Sequence, residues 1–122
     1  MSELSNLDPA AIERLRRLGG DEFAVKMIDL FFDFTGQKLA EARQALADGR
    51  FEALAKAVHP VQSSAGNVGA SRVQALAARL ELLALEPTAE PMSPLLAELG
   101  DAFAAVRPDL EQRKQALSGK GG

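Results

Sequence analysis

The chain contains no cysteine, no tryptophan and no tyrosine, and it has a single histidine, His59. The lack of cysteine excludes disulfide scaffolds, thiol catalysis and cysteine-ligated zinc or iron–sulfur centres. Without tryptophan and tyrosine there is no rich aromatic platform on which bases or sugars would stack. One histidine and no cysteine also disfavour a metal-dependent enzyme, because few strong metal ligands remain.

Neither sign of charge dominates, because the chain has 14 Lys and Arg residues and 17 Asp and Glu residues, which gives a net charge of -3. Such a chain lacks the clustered cations that nucleic acid and anionic membranes require, so we expect neither as a partner. The longest uninterrupted apolar run, at residues 102–106, has five residues, whereas a bilayer span needs about twenty. No basic segment followed by an apolar one marks a secretory signal. We therefore expect a small cytoplasmic protein.

The 122 residues favour one domain over the whole of residues 1–122, with residues 118–122 as a disordered tail. Apolar residues recur every three or four positions and nowhere alternate with period two, which predicts helices throughout. Glycines, prolines and capping residues divide this pattern into five segments, at residues 9–18, 21–48, 51–65, 71–83 and 95–117. We expect the four long segments to form an antiparallel four-helix bundle and the short first helix to cover one end.

Two prolines, Pro60 and Pro108, lie inside segments whose apolar period continues on both sides. Each removes one backbone hydrogen bond and crowds a carbonyl in the preceding turn. Because the apolar period keeps its phase past each proline, we expect a kink at these positions and not a helix end, with a break at Pro60 as the alternative.

His59 lies at the flank of the apolar stripe of its predicted helix. Along the same side the following residues are Gln62, Ser63 and Gly66, which are small or polar. The imidazole is therefore expected on a partly exposed strip of low relief, where little besides Gln62 would obstruct an approaching protein. A lone histidine in a helical domain is more often structural, so a functional interpretation depends on the residues around it.

Residues 59–70 read HPVQSSAGNVGA and resemble the phospho-accepting helix of histidine-containing phosphotransfer (HPt) domains. The family pattern is His, any residue, Leu, Lys, Gly, a small pair and a Gly-Ala turn, before a helix that ends in Leu-Glu. This chain supplies Val61, the pair Ser64-Ala65, the turn Gly69-Ala70 and the ending Leu80-Glu81. Residues 18–23, LGGDEF, also look like the family's approach to its second helix. The fold of that family is a four-helix bundle.

Three positions depart from the family pattern. Gln62 stands where the family usually has lysine, Ser63 where it has glycine, and Pro60 directly follows the histidine. The lysine would give a cation for the phosphoryl group, whereas Gln62 offers a neutral amide donor. These departures motivate an alternative hypothesis, a non-phosphorylated adaptor or inhibitor that binds a receiver or a kinase without transfer.

The resemblance implies that His59 is the phospho-acceptor. It would take a phosphoryl group from the aspartyl phosphate of a receiver domain, such as that of a hybrid histidine kinase, and pass it to the receiver of a response regulator. The receiver would contribute the magnesium ion, a lysine and aspartates, so this chain is expected to need no cofactor and no metal. It would be a stoichiometric phosphohistidine carrier and not an enzyme by itself, and an exposed histidine needs no dimer, so we expect a monomer.

Glu81 is the candidate for orienting the imidazole, with Gln62 and Ser63 as the other side chains around it. If the turn centres near residues 68–69, Ala78 lies level with His59 and Glu81 lies one turn further along. Side chains tilt toward the N-terminus of their helix, so the carboxylate can reach the inward ring nitrogen and fix the tautomer. Spacing alone equally allows a solvated glutamate, and the resemblance favours the orienting role.

We expect the partner to dock on a strip formed by Lys56, Ser63 and Gly66. Small residues there would let a receiver helix or loop lie close to the ring. Gly66 has a second interpretation, because a glycine near a helix end can serve as a cap with positive φ.

Overall fold

The computed structural model describes residues 7–86 and 91–118, and within these ranges it contains four α-helices. They are α1 (Pro9–Ala47), α2 (Phe51–Val68), α3 (Ser71–Leu85) and α4 (Met92–Ser118). Each helix packs on the next one in the chain, and α1 also packs on α4. The predicted all-α four-helix bundle is therefore confirmed. Of the tail expected at residues 118–122, Ser118 is the last residue of α4, and residues 119–122 lie outside the described residues, as do residues 87–90 of the Pro-containing connector.

The first two predicted helices are joined in α1. Asp8 caps the start, where its carboxylate accepts from the backbone N–H of Ala10 at 3.1 Å, and Pro9 occupies the first turn. Gly20 has φ 88° and ψ -178°, which is not helical, so two helical segments meet there at a kink. The stop predicted at Gly19-Gly20 is this kink, and no loop intervenes.

Arg16 bridges the kink in α1. Its Nε donates to Oδ1 of Asp21 at 2.8 Å, and its Nη1 donates to Oε2 of Glu13 at 2.7 Å. The hydrogen bond with Asp21, followed by that with Glu13, raises the pKa of Arg16. The guanidinium thus connects the segment before Gly20 with the segment after it.

A tight turn at Gly69 sets the register between α2 and α3. Gly69 has φ 81°, in the left-handed region, and the N–H of Ala70 donates back to the carbonyl of Ala65 at 2.8 Å. The N–H of Asp8 donates to the carbonyl of Gly69 at 2.7 Å, which ties the start of α1 to this turn. A Cβ atom on Gly69 would overlap the carbonyl oxygen of Asp8.

The core is built from all four helices. Its largest fully buried side chains include Phe31 and Ile28 of α1, Val58 and Val61 of α2, Leu80 of α3 and Leu99, Val106 and Leu110 of α4. Both α2 and α4 run through their prolines, Pro60 and Pro108, without ending. Within the described residues, no helix has both the length and the hydropathy needed to cross a bilayer.

Candidate functional site

His59 lies on the outer side of α2 next to α3, and its side chain is 69% exposed. Its neighbours Val58 and Val61 are fully buried in the core, which fixes the rotation of α2 about its axis. The imidazole therefore occupies the rim of the bundle, as the helical period predicts, and it is open to solvent and to an approaching protein.

Glu81 of α3 contacts the inward edge of the imidazole. Its Oε2 lies 2.7 Å from Nδ1 of His59, and its side chain is only 22% exposed. An ionised carboxylate can only accept, so Nδ1 carries the proton and donates it. In this tautomer Nε2 keeps its lone pair on the far side of the ring from Glu81. The contact expected from the register of α2 and α3 is thus present.

Gln62 is bonded to the same carboxylate. Its Nε2 donates to Oε1 of Glu81 at 2.7 Å, so Glu81 accepts one hydrogen bond on each oxygen. From the sequence, the Gln62 amide was expected to donate a hydrogen bond to the incoming phosphoryl group. In the structure it donates to Glu81 instead. The reason is that Gln62, one turn after His59, faces α3, where the second oxygen of Glu81 lies within reach.

The three residues of the expected docking strip lie on both sides of His59 along α2. Lys56 and Ser63 are exposed, and Gly66 is half-buried. Gly66 does not have positive φ, so its interpretation as a helix cap is wrong, and Gly69 fills that role. A Cβ atom on Gly66 would lie 2.8 Å from Nε2 of Gln74, the movable end of a side chain on α3.

A shallow groove runs beside the imidazole between the start of α2 and the end of α3. It is lined by Glu52, Ala55, Lys56, His59, Glu81 and Leu85, and we call it the His59 groove. Sequence reasoning placed Glu81 of α3 at this surface but missed the apolar contribution of Leu85. A signal was present, because leucines at 80, 82, 83 and 85 spread over too wide an arc for a single buried stripe.

Among residues 7–86 and 91–118, no group of three or more histidine, aspartate or glutamate side chains is placed to hold a metal ion.

The model of the Hpt domain family matches residues 26–116 of the chain. This match covers all of α2 and α3 and most of α1 and α4, and the chain therefore belongs to the Hpt domain family. It is a histidine-phosphotransfer carrier of the phosphorelay type, a class whose members interact with receiver domains. No curated protein sequence matches the chain significantly.

Two solved structures share the fold. One is the histidine-containing phosphotransfer protein B (HptB) of Pseudomonas aeruginosa PAO1, with a TM-score of 0.85 and 24% identity over 93% of this chain and 98% of that one. The other is described as a putative histidine-containing phosphotransfer protein of rice, with a TM-score of 0.82 and 19% identity over 97% of this chain and 86% of that one. At these identities the likeness concerns the fold.

Proposed function

We propose that His59 carries the phosphoryl group, which it takes from the aspartyl phosphate of one receiver domain and passes to the receiver of a response regulator. One observation carries this proposal. In the neutral imidazole, an Nδ1–H that donates to Oε2 of Glu81 across the 2.7 Å contact puts the lone pair on Nε2, and the side chain is 69% exposed. An oriented, accessible lone pair is what a nucleophilic histidine needs.

In the transfer step, the lone pair of Nε2 attacks the phosphorus atom of the aspartyl phosphate. The bond between phosphorus and the aspartate oxygen breaks, and its electron pair leaves with the carboxylate. Nδ1 keeps its proton, so the ring gains positive charge, which the neighbouring Glu81 carboxylate stabilises. Because the transition state of such transfers is loose, catalysis consists mainly of positioning and charge stabilisation.

The chain contributes positioning in this proposal. Gln62 and His59 together hold Glu81, while Ser63 and Gly66 keep the surface beside the ring low. The magnesium ion and the lysine that polarise the phosphoryl group belong to the receiver. The chain acts as a stoichiometric carrier and, since a single copy presents the whole His59 groove, as a monomer.

The test is transfer of ³²P from labelled receivers to the purified chain and to His59→Gln. We take every receiver domain encoded by the same genome and load each with labelled acetyl phosphate. The chain should acquire acid-labile, base-stable label, and His59→Gln should acquire none while melting at the same temperature. Label on His59→Gln would overturn the assignment. Tight binding of a phosphorylated receiver without any label would instead support the adaptor hypothesis.

A further inference from the structure

Five large apolar side chains of the described residues remain exposed, and three of them lie at one corner of the bundle, where α2 begins and α3 ends: Phe51, Leu82 and Leu85. The other two, Leu18 and Leu30, lie on α1. Phe51 begins α2 and Leu85 ends α3, so antiparallel pairing puts them at the same end of the helix pair. Leu82 is 66% exposed and Leu85 is 54% exposed. Exposed apolar area of this kind commonly marks an interaction site.

This corner is continuous with the reactive histidine. The His59 groove reaches from the imidazole toward the start of α2, and Ala55 and Leu85 form its apolar walls. On the other side of His59, α2 presents Ser63 and Gly66, which permit a close approach but offer little apolar area. A partner that covers His59 therefore gains more by extending toward Leu85 than toward Gly66.

Lys56 brings a positive charge to the same groove. It lies three residues before His59, on the same side of α2, and it is exposed. In the described part of the chain no ion pair or hydrogen bond occupies its ammonium group. Gln62, one turn after His59, is neutral and is bonded to Glu81. The cation available to an incoming phosphoryl group is thus one turn before the histidine.

We propose that a phosphorylated receiver domain docks along the His59 groove, so that it buries Leu82 and Leu85 and places its phosphoryl group between Lys56 and Nε2 of His59. A receiver is the occupant because the transferred phosphorus must come within bonding distance of a nitrogen that itself lines the groove. This inference rests on the proposed function and adds the direction of docking and the role of Lys56 as the cation of this chain.

The experiment compares four variants with the wild-type chain, among them Leu82→Ala/Leu85→Ala, which removes the apolar area without adding charge. Leu82→Glu/Leu85→Glu places charge on the exposed apolar end of α3, Lys56→Gln removes the cation, and Leu30→Glu is the matched control on α1, where Leu30 is 50% exposed. Each protein is phosphorylated in two ways, by the labelled receiver that best serves the wild type and by potassium phosphoramidate, a small donor that requires no docking. Receiver binding is measured by titration calorimetry.

For the leucine pair we expect receiver-dependent labelling to fall by about tenfold or more, with weaker receiver binding. Its labelling by phosphoramidate should stay at the wild-type level. Lys56→Gln should slow transfer from the receiver by about tenfold with little change in binding. Leu30→Glu should behave as the wild type in both assays.

Several results would overturn the inference. One is a rate of receiver-dependent labelling in Leu82→Glu/Leu85→Glu that equals the wild-type rate. Another is loss of transfer in Leu30→Glu alone, which would mean that the receiver docks on α1. Loss of phosphoramidate labelling in both the glutamate pair and Leu82→Ala/Leu85→Ala would place the effect on the imidazole and not on docking. If no receiver labels the wild-type chain, the proposed function fails and this inference fails with it. Equal labelling of the wild type and the leucine pair defeats only the inference.

Discussion

Gln62 and Glu81 are joined across the interface of α2 and α3 by a 2.7 Å hydrogen bond. The other oxygen of Glu81 lies 2.7 Å from Nδ1 of His59, so the three side chains form one connected unit. Gln62 therefore acts on the histidine through Glu81, as a positioning residue.

Gln62→Ala should slow phosphoryl acceptance by up to about tenfold, because a single hydrogen bond of ordinary strength no longer restrains Glu81. Gln62→Lys, which keeps a donor for Glu81 and adds a positive charge, should accept at least as fast as the wild type. The matched control is Gln74→Ala on α3, since Gln74 makes no hydrogen bond to Glu81. The measurement is the initial rate of labelling from a phosphorylated receiver. Equal rates for Gln62→Ala and Gln74→Ala would remove the positioning role.

Glu81 should fix the tautomer of His59, and the single histidine makes this directly visible by ¹⁵N NMR of histidine-labelled protein. Above the pH at which the imidazole becomes neutral, the wild type should show a protonated Nδ1 and an unprotonated Nε2. Glu81→Ala should show a mixture of tautomers, because no acceptor holds the Nδ1 proton. Glu52→Ala, in the same groove but without a contact to Nδ1, is the control. A wild-type signal from protonated Nε2 would be incompatible with the nucleophile proposed here.

Gly69→Ala should destabilise the protein by at least about 2 kcal/mol, since alanine disfavours the left-handed conformation and its Cβ would overlap the Asp8 carbonyl. Gly36→Ala is the matched comparison, because Gly36 lies within α1 and a Cβ there meets no atom within 4 Å. It should raise stability by roughly 0.5 to 1 kcal/mol. Urea unfolding measures both changes. Similar losses in the two variants would mean that the Gly69 turn does not anchor the start of α1.

Gly66→Arg should leave the melting temperature nearly unchanged and slow transfer strongly. Gly66 has no positive φ, and the first atom of a new side chain meets only the movable end of Gln74. A long side chain two turns beyond His59 would hold the partner away, and a displacement of about 1 Å can cost on the order of a hundredfold in rate. Asn67→Arg adds the same charge at the next, exposed position and should have a smaller effect. A stable and fully active Gly66→Arg would show that the partner leaves this end of the docking strip uncovered.

The fold follows from the sequence because its determinants are local or periodic. The apolar spacing predicts the helices, and the glycines at 20, 49 and 69 mark three of the changes in chain direction. All three of these glycines have positive φ. The sequence does not show that the carbonyl of Gly69 accepts a hydrogen bond from the N–H of Asp8, because that contact joins distant parts of the chain. Nor does it show that the helical segments on either side of Gly20 meet without a loop.

The site is predictable to the extent that helical register determines it. The position of His59 at the rim follows from a period of 3.6 residues. One antiparallel turn puts Glu81 within reach of the inward nitrogen, but spacing alone equally allows a solvated glutamate, and the family resemblance was needed to favour the contact. The partner of Gln62 does not follow from the register, because a glutamine side chain at that position can extend toward solvent or toward α3. The spread of leucines along α3 indicates that some of them are exposed, but which ones are exposed depends on how far α3 is rotated against α2, and the sequence does not show this rotation.

The central claim is that Nε2 of His59 receives the phosphoryl group. The most direct test is a ¹⁵N and ³¹P NMR spectrum of the histidine-labelled chain after reaction with a phosphorylated receiver. We predict coupling of phosphorus to Nε2 of the one histidine, with Nδ1 still protonated, and no phosphorylated product from His59→Gln. Phosphorus on Nδ1, phosphorus on another residue, or an unmodified imidazole after reaction with every receiver would contradict the account.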